Sequence, residues 1–149
     1  MGNKKLEPQG NEPEESSYRI ITYASKEVPK DFINLIRAPF LNTLRYGNEF
    51  FKLIVQDSYY KKYGAYVDFL INRPEMKVVT AQLNDQTVLG WALIEKNTLH
   101  YIWVKKELRR QGIGKSLIKD VNTFSHITNV GLSIWGKENY KDMVFDPFL

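Results

Sequence analysis

The stretch Arg109-Arg110-Gln111-Gly112-Ile113-Gly114-Lys115-Ser116 decides how this sequence is interpreted. It follows a run rich in β-branched and aromatic residues, 98–104, and leads into apolar residues at helical spacing: Ile113, Leu117, Ile118 and Val121. The glycines therefore lie at a predicted strand-to-helix turn. The first N–H groups of a helix lack intrahelical acceptors and form its positive end, so a phosphate can bind there if no side chain blocks it. Because Gly112 and Gly114 leave that approach open, the stretch predicts a phosphate-binding loop.

Three glycine-rich loops bind phosphates at such a turn, and two of them need residues that this chain lacks. The P-loop pattern G-x-x-x-x-G-K-[ST] would place its first glycine on Arg109. The dinucleotide pattern G-x-G-x-x-G needs a third glycine where the chain has Leu117. The remaining pattern, [Q/R]-x-x-G-x-G/A, matches at Arg109, Gly112 and Gly114. With it the loop resembles motif A of the GCN5-related N-acetyltransferases, the GNAT superfamily. A glycine turn that caps an ordinary helix is the alternative for so short a pattern.

The order of the predicted elements is similar to that of the same family. A strand is predicted over 18–24, a helix from Pro29 with an interruption or kink near Pro39, and a second helix from Asn48 to Asn72. Hairpin-linked, antiparallel strands follow over 77–83, 87–95 and 98–105. The glycine turn then opens a helix to about Thr123, which leads to a strand over 124–128, a short helix over 129–137 and a last strand over 143–145.

This order, β-α-α-β-β-β-α-β-α-β, is the GNAT order, with the glycine loop after the fourth strand. The resemblance implies the GNAT acyl-CoA N-acyltransferase fold, an α/β (α+β) domain whose mixed, mostly antiparallel central sheet is flanked by helices. The order is short at its C-terminal end, where the family sheet has a seventh strand. We expect a partner to supply that strand or a homodimer to cover the exposed edge.

Length and composition bound the remaining possibilities. The chain has 149 residues, enough for a single domain, which we expect over 18–149. Residues 1–17 are rich in Glu, Pro, Gly, Asn and Ser, and we expect a flexible tail there. No cysteine is present, which excludes disulfides and thiolate nucleophiles, and two histidines do not make a conventional zinc site, so we expect no metal. No membrane-spanning run or signal core is recognisable, and we expect a cytoplasmic protein.

The positive charge of the chain is concentrated near the loop. The net charge is +4, and the acidic tail makes the body more basic than that. The basic residues that cluster there are Lys105, Lys106, Arg109, Arg110, Lys115 and Lys119. Such a cluster attracts a multiply phosphorylated ligand. A solvated helix end and contact with nucleic acid are the alternatives.

The GNAT resemblance implies acetyl-CoA as the acyl donor and assigns residues to it. The fourth strand would bond the pantetheine arm through its main chain at Ile102, Trp103 and Val104. The loop would hold the pyrophosphate, mainly through backbone amides, at Arg109, Arg110, Gln111, Gly112, Ile113, Gly114, Lys115 and Ser116.

The catalytic positions of the family are occupied by unusual residues here. Family members often carry a Glu early on the fourth strand, where this chain has Thr98, which is no base near neutral pH. His100 on the same strand is the first replacement candidate, with a packed cross-strand histidine as the alternative, and Glu95 is the second. The family tyrosine that protonates the leaving thiolate is replaced by Trp135, so Tyr140 is its candidate substitute if the helix extends.

These observations predict an acetyl-CoA-dependent N-acetyltransferase in which a primary amine attacks the thioester directly. The acceptor stays open between a small amine, a protein amine and a nucleobase amine. A catalytically degenerate GNAT fold that binds CoA or serves as an interaction protein is the alternative, supported by Thr98 and Trp135. The segments 99–104, 124–128 and 144–149 also resemble those of small GNAT-like proteins encoded by tailed phages.

Overall fold

The computed structural model describes residues 18–120, 126–127, 132–140, 142–146 and 148–149. The predicted flexible tail, 1–17, lies outside these residues, as do 121–125 and 128–131 of the predicted helix–strand–helix segment. The elements in chain order are β1 (Arg19–Ala24), α1 (Lys30–Tyr46), α2 (Glu49–Lys52), α3 (Gln56–Ile71), β2 (Met76–Asn84), β3 (Thr87–Glu95), β4 (Thr98–Val104), α4 (Ile113–Leu117), β5 (His126–Ile127), α5 (Ser133–Asn139) and β6 (Val144–Phe145).

The strands form one mixed sheet in the order β1-β2-β3-β4-β5-β6. β1 to β4 pair antiparallel, as the two-residue and three-residue turns between the central strands predict. β4, β5 and β6 pair parallel. The predicted fold class is thereby confirmed, and the elements follow in the predicted order except that three helices, not two, lie between β1 and β2.

Each face of the sheet packs against its own set of helices. On one face α1 and α3 bury an aromatic-rich core in which Phe40 contacts Trp91 and Tyr101. On the other face α4 buries Ile113 and Leu117 against residues such as Ala92 and Leu99. Side chains alternate between the two faces along β4. Tyr101 and Trp103 therefore lie in one core, and Ile102 and Val104 lie in the other. Among the described residues, no helix is both long and apolar enough to cross a bilayer.

Helix α1 continues through Pro39, so the prediction of an interruption there was wrong. Proline has no N–H, which leaves the carbonyl of Leu35, four residues earlier, without its helical donor. The indole Nε1 of Trp91 donates to that carbonyl at 3.1 Å. Trp91 is fully buried in the sheet, and its N–H thus replaces the donor that Pro39 lacks.

The single helix predicted from Asn48 to Asn72 is divided into α2 and α3. The backbone at Val55 is extended, with φ −53° and ψ 132°. The carbonyls of Phe51 and Ile54 accept hydrogen bonds from the buried Arg45 guanidinium at 3.1 and 3.0 Å. Arg45 also lies over the Tyr59 ring, 4.9 Å from its centroid. Because Arg45 lies outside 48–72, the helical periodicity of that segment did not reveal the break.

A β-bulge interrupts the regular pairing of β4 with β3. Leu93 pairs with Tyr101 and the next residue, Ile94, pairs with Leu99, so His100 is an extra residue in β4. Among the described residues, β4 and β5 pair at Thr98–His126 and Leu99–Ile127 and not beyond the bulge. A bulge bends its strand and increases its twist. In the part of the chain that the structure describes, the half of β4 from Tyr101 to Val104 therefore has one edge without a paired strand.

Helix α4 is shorter than predicted. The chain enters it at Ile113 as expected, but the helix ends at Leu117 and residues 118–120 form a turn. The backbone at Ile118, with φ −113° and ψ 12°, has already left helical geometry.

Candidate active site

Two cavities meet along the open half of β4. The large cleft has a volume of about 920 Å³ and is lined by Ile102, Val104, Arg109, Arg110, Gly112, Gly114, Lys115, Ile118, Lys119, Leu132, Trp135, Asn139 and Tyr140. The small cavity has a volume of about 320 Å³ and is lined by Thr43, Leu44, Gly47, Asn48, Tyr101, Ile102, Trp103, Val104, Arg109 and Leu132. Ile102, Val104, Arg109 and Leu132 line both. Two ligands that occupy the two cavities would therefore meet at β4.

The glycine loop lines the large cleft with a backbone suited to anions. Arg110 and Gly112 have positive φ angles of 66° and 89°, the left-handed conformation found in anion-binding turns of the backbone. The first hydrogen bond of α4 runs from Ser116 N to Gly112 O at 3.0 Å. The amides ahead of Ser116 consequently have no helical acceptor. A Cβ at Gly112 would have no neighbouring atom within 4 Å, so any side chain there would project into the cleft.

The large cleft is electropositive. Arg109, Arg110, Lys115 and Lys119 line it, and no lining residue that the structure describes is acidic. Arg109 is fixed at the end of β4 because its Nε donates to the Val104 carbonyl at 2.8 Å. Its two terminal nitrogens remain as donors toward the cavities. Low-dielectric walls and one sign of charge raise the local concentration of an anionic ligand.

The residues predicted to bind the donor fall into three groups. Seven line the large cleft: Ile102, Val104, Arg109, Arg110, Gly112, Gly114 and Lys115. Trp103 lines the small cavity instead. The side chains of Gln111, Ile113 and Ser116 line neither cavity. Ile113 is buried in the core, Ser116 Oγ is 3.2 Å from Tyr18 Oη, and Gln111 Oε1 is buried without a hydrogen-bond partner.

Tyr140 and Trp135 lie together in the wall of the large cleft. The ring centroids are 5.9 Å apart in an edge-to-face arrangement. Helix α5 extends to Asn139, and the Tyr140 N–H donates to the Gly136 carbonyl at 2.8 Å. Burial raises the pKa of the Tyr140 hydroxyl above its ordinary value of 10.0. The group is therefore protonated at neutral pH and has an O–H that can donate a hydrogen bond.

His100 and Glu95 are neighbours, but neither lines the large cleft or the small cavity. His100 is fully buried, its Nε2 is 3.1 Å from Glu95 Oε1, and Arg73 Nη2 is 3.0 Å from the same oxygen. Burial, opposed by the Glu95 carboxylate, lowers the pKa of His100 below its ordinary value of 6.5. This arrangement at the base of β4 favours a structural role in fixing the bulge over proton abstraction.

The wall that α1 and the turn after it give to the small cavity was not predicted from the sequence. Thr43 on α1 and Tyr101 on β4 are hydrogen-bonded through their hydroxyls and both line it. Asn48 and Gly47 come from the turn after α1. No local motif marks these positions, because they are brought together by the packing of α1 on the sheet. Among the described residues, no three acidic or histidine side chains are close enough to hold a metal ion.

The comparisons with known proteins identify the family. The model of the acetyltransferase (GNAT) domain matches residues 41–134, well over half of the chain. The chain therefore belongs to the GNAT acetyltransferase family. No curated protein sequence matches it significantly.

Three solved structures are similar to this chain. A protein described as an acetyl transferase, from Pyrococcus furiosus, is 19% identical, with a TM-score of 0.57 over 87% of this chain and 81% of that one. A ribosomal-protein-alanine N-acetyltransferase from Brucella melitensis is 16% identical, with a TM-score of 0.45 over 87% and 79%. The aminoglycoside N-acetyltransferase AAC(6')-Iy in complex with CoA is 15% identical, with a TM-score of 0.43 over 87% and 76%. The likeness to the Pyrococcus furiosus protein establishes the fold.

Proposed function

We propose that this protein is an acetyl-CoA-dependent N-acetyltransferase that transfers an acetyl group to a primary amine. The observation that carries the proposal is the large cleft, where the amides of the glycine loop, four basic side chains and the open edge of β4 converge. Membership of the GNAT family supports the same assignment. In this role the large cleft holds acetyl-CoA and the small cavity holds the amine.

The residues of the large cleft fit two parts of acetyl-CoA, its pyrophosphate and its pantetheine arm. The loop amides from Gly112 onward, with Arg110 and Lys115, suit a pyrophosphate, because anions bind at unpaired N–H groups. The main chain of Ile102 and the N–H of Val104, free of β5 in the described residues, suit the amide-bearing pantetheine arm. Bound there, acetyl-CoA supplies a thioester that an amine can attack without an enzyme-bound acyl group, which agrees with the absence of cysteine.

We assign Tyr140 the role of proton donor to the departing thiolate. It lines the large cleft, and its hydroxyl is protonated at neutral pH. Trp135, beside it, offers an indole N–H that is not acidic enough to transfer a proton. Positioned proton donors of this kind contribute about 10²–10⁴-fold to rate.

Release of free thiol tests the proposal directly. The purified protein is mixed with acetyl-CoA and a panel of primary amines, and CoA is followed with a thiol reagent; the chain contributes no thiol of its own. We expect amine-dependent release that Gly112→Trp abolishes. Acetyl-CoA binding without release for any amine would instead support a CoA-binding or interaction protein, for which Thr98 at the expected position of the base already argues.

A further inference from the structure

The small cavity has the polarity of a site for an apolar amine. Its volume of about 320 Å³ suits a small molecule rather than an oligosaccharide. Aromatic and aliphatic side chains form much of its wall, namely Leu44, Tyr101, Ile102, Trp103, Val104 and Leu132. None of the lining residues that the structure describes carries a carboxylate, whereas one, Arg109, carries a positive charge.

We propose that the small cavity binds a small primary monoamine with an aromatic or aliphatic body and discriminates against polycationic amines. This inference rests on the proposed acetyltransferase function and names its acceptor class. A second ammonium group would lose its hydration without gaining a carboxylate partner. It would also lie close to the Arg109 guanidinium, and like charges at that range repel. A monoamine whose aromatic or aliphatic body is uncharged avoids both the loss of hydration and the repulsion by Arg109.

The hydroxyl of Tyr101 is oriented to accept a hydrogen bond from the amine. Thr43 has one hydroxyl proton, and it donates to the Pro39 carbonyl at 2.6 Å. The hydrogen bond between Thr43 and Tyr101 then requires the Tyr101 hydroxyl to be the donor. Its oxygen retains acceptor capacity on the wall of the small cavity. An amine N–H can donate to it, which makes Tyr101 a positioning residue for the acceptor.

The same surroundings favour the reactive form of the amine. Desolvation and the nearby Arg109 charge both disfavour an ammonium, so a monoamine binds neutral and keeps its nitrogen lone pair. That pair forms the C–N bond as the C–S bond breaks. One proton leaves nitrogen for solvent, the thiolate gains one from Tyr140, and the Tyr140 phenolate regains a proton from solvent. The reaction therefore balances without a carboxylate base in the small cavity.

Calorimetric titration of amines tests the inference independently of turnover. Phenethylamine and spermidine are each titrated into the wild-type protein, with and without saturating CoA. We expect phenethylamine to bind about tenfold more tightly than spermidine or better, because a charge beside Arg109 costs on the order of a kcal/mol or more. We also expect Tyr101→Phe, which removes only the hydroxyl, to weaken phenethylamine binding severalfold and leave CoA binding unchanged.

A variant that adds a carboxylate to the wall of the small cavity tests the effect of charge on amine preference. Asn48 lines the small cavity, and its Oδ1 accepts from Phe50 N at 2.9 Å as the cap of α2. Asn48→Asp retains that acceptor and adds a carboxylate. We expect it to shift the preference toward spermidine by about fivefold. Asn34→Asp, on the exposed side of α1 and lining neither cavity, adds the same charge and should leave the preference unchanged.

Acetylation of the same two amines separates the two proposals. Phenethylamine binding without acetyl transfer would support this inference and contradict the acetyltransferase function. Acetyl transfer confined to spermidine would support the function and overturn the inference. Spermidine binding as tightly as phenethylamine, or equal shifts with Asn48→Asp and Asn34→Asp, would also overturn it.

Discussion

At the scale of single residues, the site depends on a few positions whose geometry has no substitute. Gly112 is one, because its φ of 89° lies in the left-handed region at the entrance to α4. Gly114 lies two residues on, and a Cβ there would make ordinary contacts of 3.7 and 3.9 Å with Ile102 and Val104. Gly112 is therefore required for its backbone angle, whereas a Cβ at Gly114 would be accommodated.

This difference predicts the effect of alanine at each glycine. Gly112→Ala should lower the free energy of unfolding by about 1 kcal/mol, the cost of a left-handed non-glycine residue. Gly114→Ala should leave it unchanged or raise it by up to about 1 kcal/mol, since alanine favours a helix. Urea denaturation of the two variants measures both. Equal losses would show that backbone strain is not what sets Gly112 apart.

Tyr140 is the residue whose chemistry matters most to turnover. Tyr140→Phe removes the hydroxyl and retains the ring that packs on Trp135. We expect kcat to fall by about 10²-fold or more, the loss of a positioned acid. Binding of acetyl-CoA should be unchanged. Steady-state kinetics with a fixed amine measure the effect, and an unaltered kcat would exclude Tyr140 as the proton donor.

His100 predicts a pH dependence of stability rather than of catalysis. Burial lowers its pKa below 6.5, so below that pH the unfolded chain binds more protons than the folded chain. The contribution of His100 to the free energy of unfolding is therefore fully present above pH 6.5. It is lost as the pH falls below 6.5 and through the lowered pKa of the folded state. His100→Gln, which retains a donor toward Glu95, should flatten the fall in Tm between pH 7 and about pH 5. Parallel Tm curves for the two proteins would contradict this role.

At the scale of elements, contacts distant in sequence decide where helices break. Pro39 lies inside α1 because Trp91, on β3, supplies the missing donor to Leu35. The break between α2 and α3 is held by Arg45, whose guanidinium binds the carbonyls of that segment. Neither contact is visible to periodicity, which explains why an interruption was predicted near Pro39 and the break between α2 and α3 was not predicted.

A double-mutant cycle tests whether the Trp91 indole N–H replaces the backbone N–H that Pro39 lacks. Trp91→Phe should leave the Leu35 carbonyl without its donor and cost about 1–3 kcal/mol for that group, besides lost packing. Pro39→Ala restores an N–H in the helix. It should therefore stabilise the Trp91→Phe variant by about 1 kcal/mol more than it stabilises the wild type. Denaturation of all four proteins measures the coupling, and additive effects would contradict the exchange.

The strands were predicted far more closely than the helices. β3 runs over Thr87–Glu95 as expected, and β2 and β4 differ by one residue at their ends. Tight turns at Asn84 to Gln86 and at Lys96 and Asn97 bound these strands locally, so sequence alone defines them. The bulge at His100 was not predicted, because it is set by pairing with β3 and by burial against Glu95.

At the scale of the whole molecule, one half of the site could be predicted and the other could not. The large cleft follows from a local motif at the end of β4, and most of its proposed residues line it. The small cavity is assembled from α1, the turn after it and β4. Its acceptor class depends on the absence of carboxylates from the described wall, a property of three-dimensional packing that no short pattern carries.

The proposed function requires the large cleft to bind acetyl-CoA through the glycine loop. Calorimetric titration of the purified protein with acetyl-CoA measures this binding, with Gly112→Trp as the blocked variant and Asn34→Trp, at an exposed position of α1, as its control. We predict one molecule bound per chain by the wild type and by Asn34→Trp, and none by Gly112→Trp, whose side chain would project into the cleft. Absence of binding by the wild type, or equal binding by all three proteins, would contradict the claim.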